Sequence, residues 1–270
     1  MLRTEMRNPN TCQISKMSTY DIVKTINEEN NNVIKAIDAA LSDIEKACDA
    51  TAAAIMNGGR VFYIGAGTSG RLGVCDAAEC RPTFGVPDDM FNGIIAGGNN
   101  CMFTAAENQE DDPELSIVDL KNHNFCGKDI LIGISASGSA AYVLSAIRYA
   151  KELGATTVSV TNNPGTAMGS AADINICADT GPEVITGSTR MKAGTAQKIV
   201  LNMISTTAMI KCGNVYENLM INLRPTNKKL RRRMIRIVEE IFGCTPEEGE
   251  ALLEAHDWKI RPAVESKEAK

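Results

Sequence analysis

Val61-Phe62-Tyr63-Ile64-Gly65-Ala66-Gly67-Thr68-Ser69-Gly70-Arg71 decides the fold class, because an apolar, β-branched and aromatic run passes directly into a glycine-rich, hydroxyl-bearing turn. The run before Gly65 reads as a buried strand, and Arg71-Leu72-Gly73-Val74 opens a helix-compatible stretch. Glycines at the junction let backbone N–H groups approach an anion. Thr68 and Ser69 add hydroxyl donors, and the start of a helix adds a favourable dipole. Gly67, Thr68 and Ser69 are therefore candidate phosphate ligands.

Working outward, short apolar runs at 93–96, 130–134, 156–160 and 174–176 repeat the strand pattern, with helical spacing between them. The stretch 140–153 shows the alternation clearly: Val143, Ile147 and Ala150 continue a helix that Gly154 ends before the next strand. Parallel βαβ units and a doubly wound α/β sheet follow. Upstream, Ser18 reads as an N-cap, and Ile22, Val23, Ile26, Val33, Ile37, Leu41 and Ile44 recur at helical spacing. One long helix, or two in succession, should lead to Asn57-Gly58-Gly59. Downstream, 188–212 reads as a mostly buried helix with Ser188 as a candidate cap, and 227–242 as an amphipathic one. Thr245-Pro246-Glu247-Glu248 is a capping pattern for a short closing helix. The expected division is 1–225 for the sheet domain with its N-terminal helices, and 226–270 for a helical tail.

Composition narrows the function classes. With 44% hydrophobic and 23% charged residues and a net charge of −5, the chain is an ordinary globular one that does not suit a nucleic-acid partner. The basic cluster Lys228-Lys229 and Arg231-Arg232-Arg233 precedes Glu239-Glu240 on the same helix and reads as a solvated face. Nine cysteines, an odd number without Cys-x-x-Cys pairs, and no secretory pattern at the start fit reduced thiols in the cytoplasm. The apolar stretch 199–210 is broken by Asn202 and Ser205, so no membrane span is expected. Two histidines, His123 and His256, exclude a multi-histidine metal site.

The first loop fits Gly-x-Gly-x-x-Gly, but a dinucleotide site would want an acidic residue closing a second strand about twenty positions on. That region, 81–89, carries Pro82 and Pro87 and reads as a loop; the Lys of a P-loop is also missing. A small phosphorylated ligand suits better, because Ser135-Ala136-Ser137-Gly138-Ser139 forms a second hydroxyl-rich loop after a second parallel strand. In a doubly wound sheet both loops lie at the carboxyl ends of strands, where ligands bind. Each loop taken singly is also explained by serines capping the next helix. The block 181–198 adds a third constellation, with Glu183, Ser188, Thr189 and Lys192 as candidates. Two acidic loops complete the set, Asp76-Ala77-Ala78-Glu79-Cys80 and Glu107-Asn108-Gln109-Glu110-Asp111-Asp112. A carboxyl among small apolar neighbours, as Glu79 is, suits a general acid.

These stretches together resemble the N-acetylmuramic acid 6-phosphate etherases of the sugar isomerase (SIS) superfamily. The resemblance runs through 58–80, 83–98 and 181–206, and includes Thr4-Glu5-x-Arg7-Asn8 and Ile26-Asn27-Glu28-Glu29. It implies a five-stranded parallel sheet flanked by helices, a homodimer, and no metal or organic cofactor. It also implies removal of the D-lactyl ether from a phosphorylated amino sugar by elimination and hydration. Glu79 matches the family's proton donor, and Glu110 the base at C2. Gly67, Thr68, Ser69, Ser135, Ser137 and Ser139 would hold the 6-phosphate. The second loop departs from the etherase pattern, which carries Arg, Thr and Pro where Ser139, Ala140 and Ala141 stand; Arg81 replaces a usual proline and would return positive charge to the cleft. The tail after Val264 is shorter than is typical. The alternative is a non-catalytic phosphosugar sensor like the glucokinase regulatory proteins, against which the retention of both glutamates speaks.

Overall fold

Strands covered on both faces read as near-continuous apolar runs, and here alternate residues of each run feed two different cores. The computed structural model describes residues 1–104, 109–225 and 227–268. After short 3-10 turns, α1 (Thr19–Glu29) and α2 (Asn31–Met56) follow in immediate succession. Then come β1 (Val61–Gly65), α3 (Gly67–Phe84), β2 (Phe91–Ile95), α4 (Pro113–Asn122), β3 (Ile130–Ile134), α5 (Ala141–Glu152), β4 (Thr156–Thr161), α6 (Ala167–Ala171) and β5 (Ile174–Cys177). The long α7 (Lys192–Lys211), a two-stranded ribbon of β6 (Val215–Tyr216) and β7 (Leu219–Met220), and α8 (Lys228–Phe242), α9 (Pro246–Ala255) and α10 (Ile260–Glu268) complete the chain.

The five main strands form one parallel sheet in the order β2-β1-β3-β4-β5. Val61 and Tyr63 of β1 point into a core shared with α2, α3 and α7, while Phe62 and Ile64 point into the opposite core with α4 and α5. A third core joins Met234, Ile237, Val238, Leu253, Ile260 and Val264 of the last three helices to Ile221 and Leu223, which precede the tail. Side-chain caps mark the start of α1 at Ser18, α8 at Asn227 and α9 at Thr245, the last with a full capping box. Among the described residues no helix is long and apolar enough to cross a membrane. All nine cysteines are free thiols.

Three local expectations change. Residues 76–80 and 81–84 are not loops but the body and last turns of α3. Pro82 sits in the final turn, where it forgoes one helical hydrogen bond, and Gly85 at φ 63° closes the helix by donating to the Arg81 carbonyl. Arg81 hydrogen-bonds the Asp88 carbonyl at this end of α3, so its charge stays there rather than joining the hydroxyl loops. The helix expected from Ser188 begins at Lys192, with the residues before it in turns.

Candidate functional site

β1 and β3 are neighbours with Gly65 in register with Ile134, so the two hydroxyl loops leave the sheet side by side. The first turn is as tight as the backbone permits. A Cβ on Gly65 would stand 2.7 Å from the Gly70 nitrogen, and one on Gly70 would stand 2.6 Å from the Gly65 oxygen. Gly67, at φ 51°, adopts a conformation that side chains disfavour. Gly67 is exposed and Thr68 half-buried, while Ser69 is buried and donates to Gln197 Oε1 at 2.9 Å. Gln197 in turn donates to Asn162 Oδ1 at 2.9 Å.

In the second loop the hydroxyls form a relay. Ser135 Oγ accepts from the Gly138 N–H and lies 3.3 Å from Ser137 Oγ, and Ser137 Oγ accepts from Ser139 N and Ser139 Oγ. None of these serines caps a helix: the N-caps of α3 and α5 are Ala66 and Ala140, without a side-chain bond. By contrast α1, α4, α6, α8 and α9 are each closed by a Ser, Asp, Thr or Asn cap. The two helices beginning at the hydroxyl loops thus present their first N–H groups without side-chain caps, which is the arrangement an anion satisfies.

The third constellation divides. Ser188 and Thr189 lie in the turns leading to α7, and a Cβ on Gly194 would lie 3.4 Å from both the Thr189 oxygen and Thr68 Cγ2. That places this turn against the first loop. Glu183 is fully buried and caps α7 from a distance in sequence, accepting from Lys192 N at 3.0 Å and Ala193 N at 2.9 Å. Burial pushes its carboxyl above the ordinary range, against those two N–H groups and the Lys192 charge. Lys192 does not extend to the hydroxyl loops. Its ammonium, 1% exposed, pairs with Glu29 Oε2 at 2.6 Å. Burial pushes the Glu29 carboxyl up, but hydrogen bonds from Asn10, Lys192 and Asn8 outweigh it and hold the group below its usual value. Glu29, Asn8 and Gln197 escaped the residue-by-residue reading, although each lies in a stretch whose pattern stood out.

The two candidate carboxylates are separated. Glu110 is exposed in a 3-10 turn, Gln109–Asp111, beyond the carboxyl end of β2, on the edge that carries the loops. A Cβ on Gly97 would stand 3.0 Å from Gln109 Cγ, which seats this turn there. Glu107 and Asn108 lie outside the described residues. Glu79 is exposed on α3, roughly 18 Å along the helix from Gly67 at about 1.5 Å per residue. Because α3 passes Tyr63, the middle of β1, at Gly73, Glu79 lies towards the opposite edge of the sheet.

The buried carboxyl on this helix is Asp76. Its Oδ1 accepts from Asn202 Nδ2 at 2.7 Å and Ser205 Oγ at 3.3 Å. Its Oδ2 and the fully buried Tyr63 hydroxyl beside it complete no hydrogen bond of good geometry. Burial raises the Asp76 carboxyl, with Tyr63, Asn202, Ser205 and Lys198 opposing. An acid whose pKa is higher folded than unfolded loses stability as pH rises from the unfolded value to the folded one. Asp76→Asn removes that loss and offers Tyr63 a donor. We expect it to be more stable by about 1 kcal/mol at pH 7, with the advantage vanishing below about pH 4. Thermal melts across this range check it; an advantage independent of pH would contradict it.

Two family models match the chain. The family described as Glucokinase regulatory protein N-terminal SIS domain matches residues 43–151, and that described as SIS domain matches 123–207. The chain is 51% identical over 263 residues to an N-acetylmuramic acid 6-phosphate etherase of Clostridium botulinum (strain Okra / Type B1), covering 97% of this chain and 87% of that protein. It is 47% identical over 263 residues to the protein of the same name from Cronobacter sakazakii, covering 97% and 89%. Among solved structures it is similar to a phosphoheptose isomerase from Neisseria gonorrhoeae, with a TM-score of 0.53 and 18% identity over 72% of this chain and 98% of that one. It is also similar to a phosphosugar isomerase of Bacteroides fragilis NCTC 9343 described as involved in capsule formation, with a TM-score of 0.57 and 18% identity over 76% and 98%. At those identities the structures establish the fold alone.

Proposed function

The chain belongs to the N-acetylmuramic acid 6-phosphate etherase family, and from that premise we propose that it converts N-acetylmuramic acid 6-phosphate into N-acetylglucosamine 6-phosphate and D-lactate. The observation that carries this reading is the match at about half identity along 97% of the chain to proteins of that name. The glucokinase regulatory protein model, which bears on the sensor reading, matches residues 43–151.

In the open-chain aldehyde the C2 proton is acidified by the neighbouring carbonyl. Glu110 takes that proton, the C3–O bond breaks, and Glu79 delivers a proton to the departing lactate oxygen. Water then adds to C3 of the unsaturated aldehyde, giving a proton back to Glu79, while Glu110 returns one to C2. The phosphate is assigned to the Gly67-Thr68-Ser69 turn and the Ser135, Ser137 and Ser139 relay, with Ser188 and Thr189 at the rim. Support comes from the uncapped starts of α3 and α5 beside these hydroxyls. Phosphate held there contributes by positioning the reacting carbons.

The distance along α3 supports a site shared between two copies. Glu79 and the hydroxyl loops of one chain face different edges of the sheet, which favours a carboxylate pair completed by Glu79 of a second copy. We therefore read the protein as a homodimer with composite sites, acting in the cytoplasm where its free thiols stay reduced. Incubating purified protein with N-acetylmuramic acid 6-phosphate should release D-lactate and N-acetylglucosamine 6-phosphate in equal amounts. Tight binding of the phosphosugar without lactate release would overturn the etherase reading and leave a sensor.

A further inference from the structure

The opening segment 4–11 and the Glu29–Lys192 pair have no part in the chemistry above, yet Thr4, Asn8, Thr11, Glu29 and Lys192 are buried, and their hydrogen bonds lead to the third constellation and, through Asn163, to the second hydroxyl loop. Asn163 Nδ2 donates both to Thr4 Oγ1 at 3.0 Å and to the Ala136 carbonyl at 2.8 Å, and Ala136 lies inside the second hydroxyl loop. Gly187 N donates to the Thr4 carbonyl at 3.3 Å, and Thr11 Oγ1 to the Val184 carbonyl at 2.8 Å. Asn8 Nδ2 bridges Glu29 Oε2 at 2.8 Å and the Pro182 carbonyl at 3.2 Å. Glu29 then grips the Lys192 ammonium while Glu183 grips the backbone of Lys192 and Ala193. Further along the same helix, Gln197 accepts the Ser69 hydroxyl of the first loop.

We propose that the segment 4–11, acting through the buried Asn8–Glu29–Lys192 core, is the strap that sets α7 and its preceding turn against both hydroxyl loops. Glu29 and Lys192 are then positioning residues for the phosphate, and Lys192 never touches it. This rests on the carboxyl edge of the sheet being the phosphosugar site. The physical reason for a charged pair in this place is geometric. Both groups are nearly dry, at 1% and 7% exposure, so each is tolerable only with its partner in one arrangement. That arrangement fixes the start of α7 relative to α1 and the strap. A neutral contact of the same size would hold the helix less selectively.

A double-mutant cycle tests the assignment, because removing one member strands a buried charge whereas removing both does not. Glu29→Gln and Lys192→Met should each lower the melting temperature and raise KM for N-acetylmuramic acid 6-phosphate by about tenfold or more, with kcat within about threefold. The pair Glu29→Gln/Lys192→Met should recover KM to within about threefold of the unaltered protein. A direct phosphate ligand behaves differently. If Lys192→Met loses phosphosugar affinity, Glu29→Gln keeps it, and the double variant stays as weak as Lys192→Met, the positioning role is wrong. Should either single variant fail to fold, the double variant carries the test. Its binding of N-acetylglucosamine 6-phosphate by calorimetry must match the unaltered protein, or the inference falls. Ser69→Ala and Ser137→Ala separate the premise: if both leave that affinity unchanged, the phosphosugar site lies elsewhere and it is the underlying reading that fails.

Discussion

Glu79→Gln is expected to cut D-lactate release by roughly a thousandfold while leaving the melting temperature and the affinity for N-acetylglucosamine 6-phosphate where they were. The side chain is exposed on α3, so an isosteric amide removes the proton it donates and little else. Glu110→Gln should be comparably inactive. The two variants separate by hydrogen exchange at C2. In deuterated water the Glu79→Gln protein should still exchange the C2 proton of substrate, because Glu110 is intact; the Glu110→Gln protein should not. Mixing the two inactive proteins and allowing subunits to exchange should restore about a quarter of the unaltered activity, since half the dimers are mixed and each carries one complete site. No recovery, with mixed dimers demonstrated, would mean that both carboxylates act within one chain. Lactate release unaffected by both substitutions would remove the assigned chemistry altogether.

Gly70→Ala is the second large effect, and it acts through packing. The added carbon would stand 2.6 Å from the Gly65 oxygen and 2.7 Å from Ile95 Cγ1, so β1 and the start of α3 must move apart. Overpacking against backbone is expected to lower the unfolding free energy by about 3 kcal/mol and to weaken phosphosugar binding at least tenfold. Gly194→Ala is the control. There the same carbon meets its nearest neighbours only at 3.4 Å, and stability should change by less than about 1 kcal/mol. Equilibrium denaturation and calorimetry of both variants check the contrast. Equal stability losses would show that the tight turn is not what makes Gly70 sensitive.

What was legible in advance was local. The limits of β3 at Ile130 and Ile134, the caps at Ser18 and Thr245, and the pair of hydroxyl loops all follow from residues within a turn or two of one another. What escaped involves partners far apart in the chain. Ser188 looks like a cap because it precedes an apolar helix, but the carboxylate of Glu183 folds back to serve Lys192 and Ala193 instead. Lys192 looks like a phosphate ligand until Glu29, brought in by the end of α1, takes its charge. Glu79 looks buried among small residues, yet helical phase turns Asp76 inward and Glu79 out. Pattern alone also reads 76–84 as loop, whereas α3 continues to Phe84, because a proline in a final turn forfeits too little to end the helix at Pro82.

α3 is 18 residues long, and its two ends carry the two roles proposed above, phosphate binding at the glycine turn and proton donation at Glu79. That length makes turnover a collective property. If the proposed composite dimer holds, a chain diluted below its dissociation constant keeps its phosphosugar affinity but loses its acid, so specific activity should fall with dilution while ligand uptake per chain does not. Preincubation at high concentration should abolish any lag in product formation. Substrate that bridges two copies should in turn slow their separation, tying the rate of the reaction to the lifetime of the assembly.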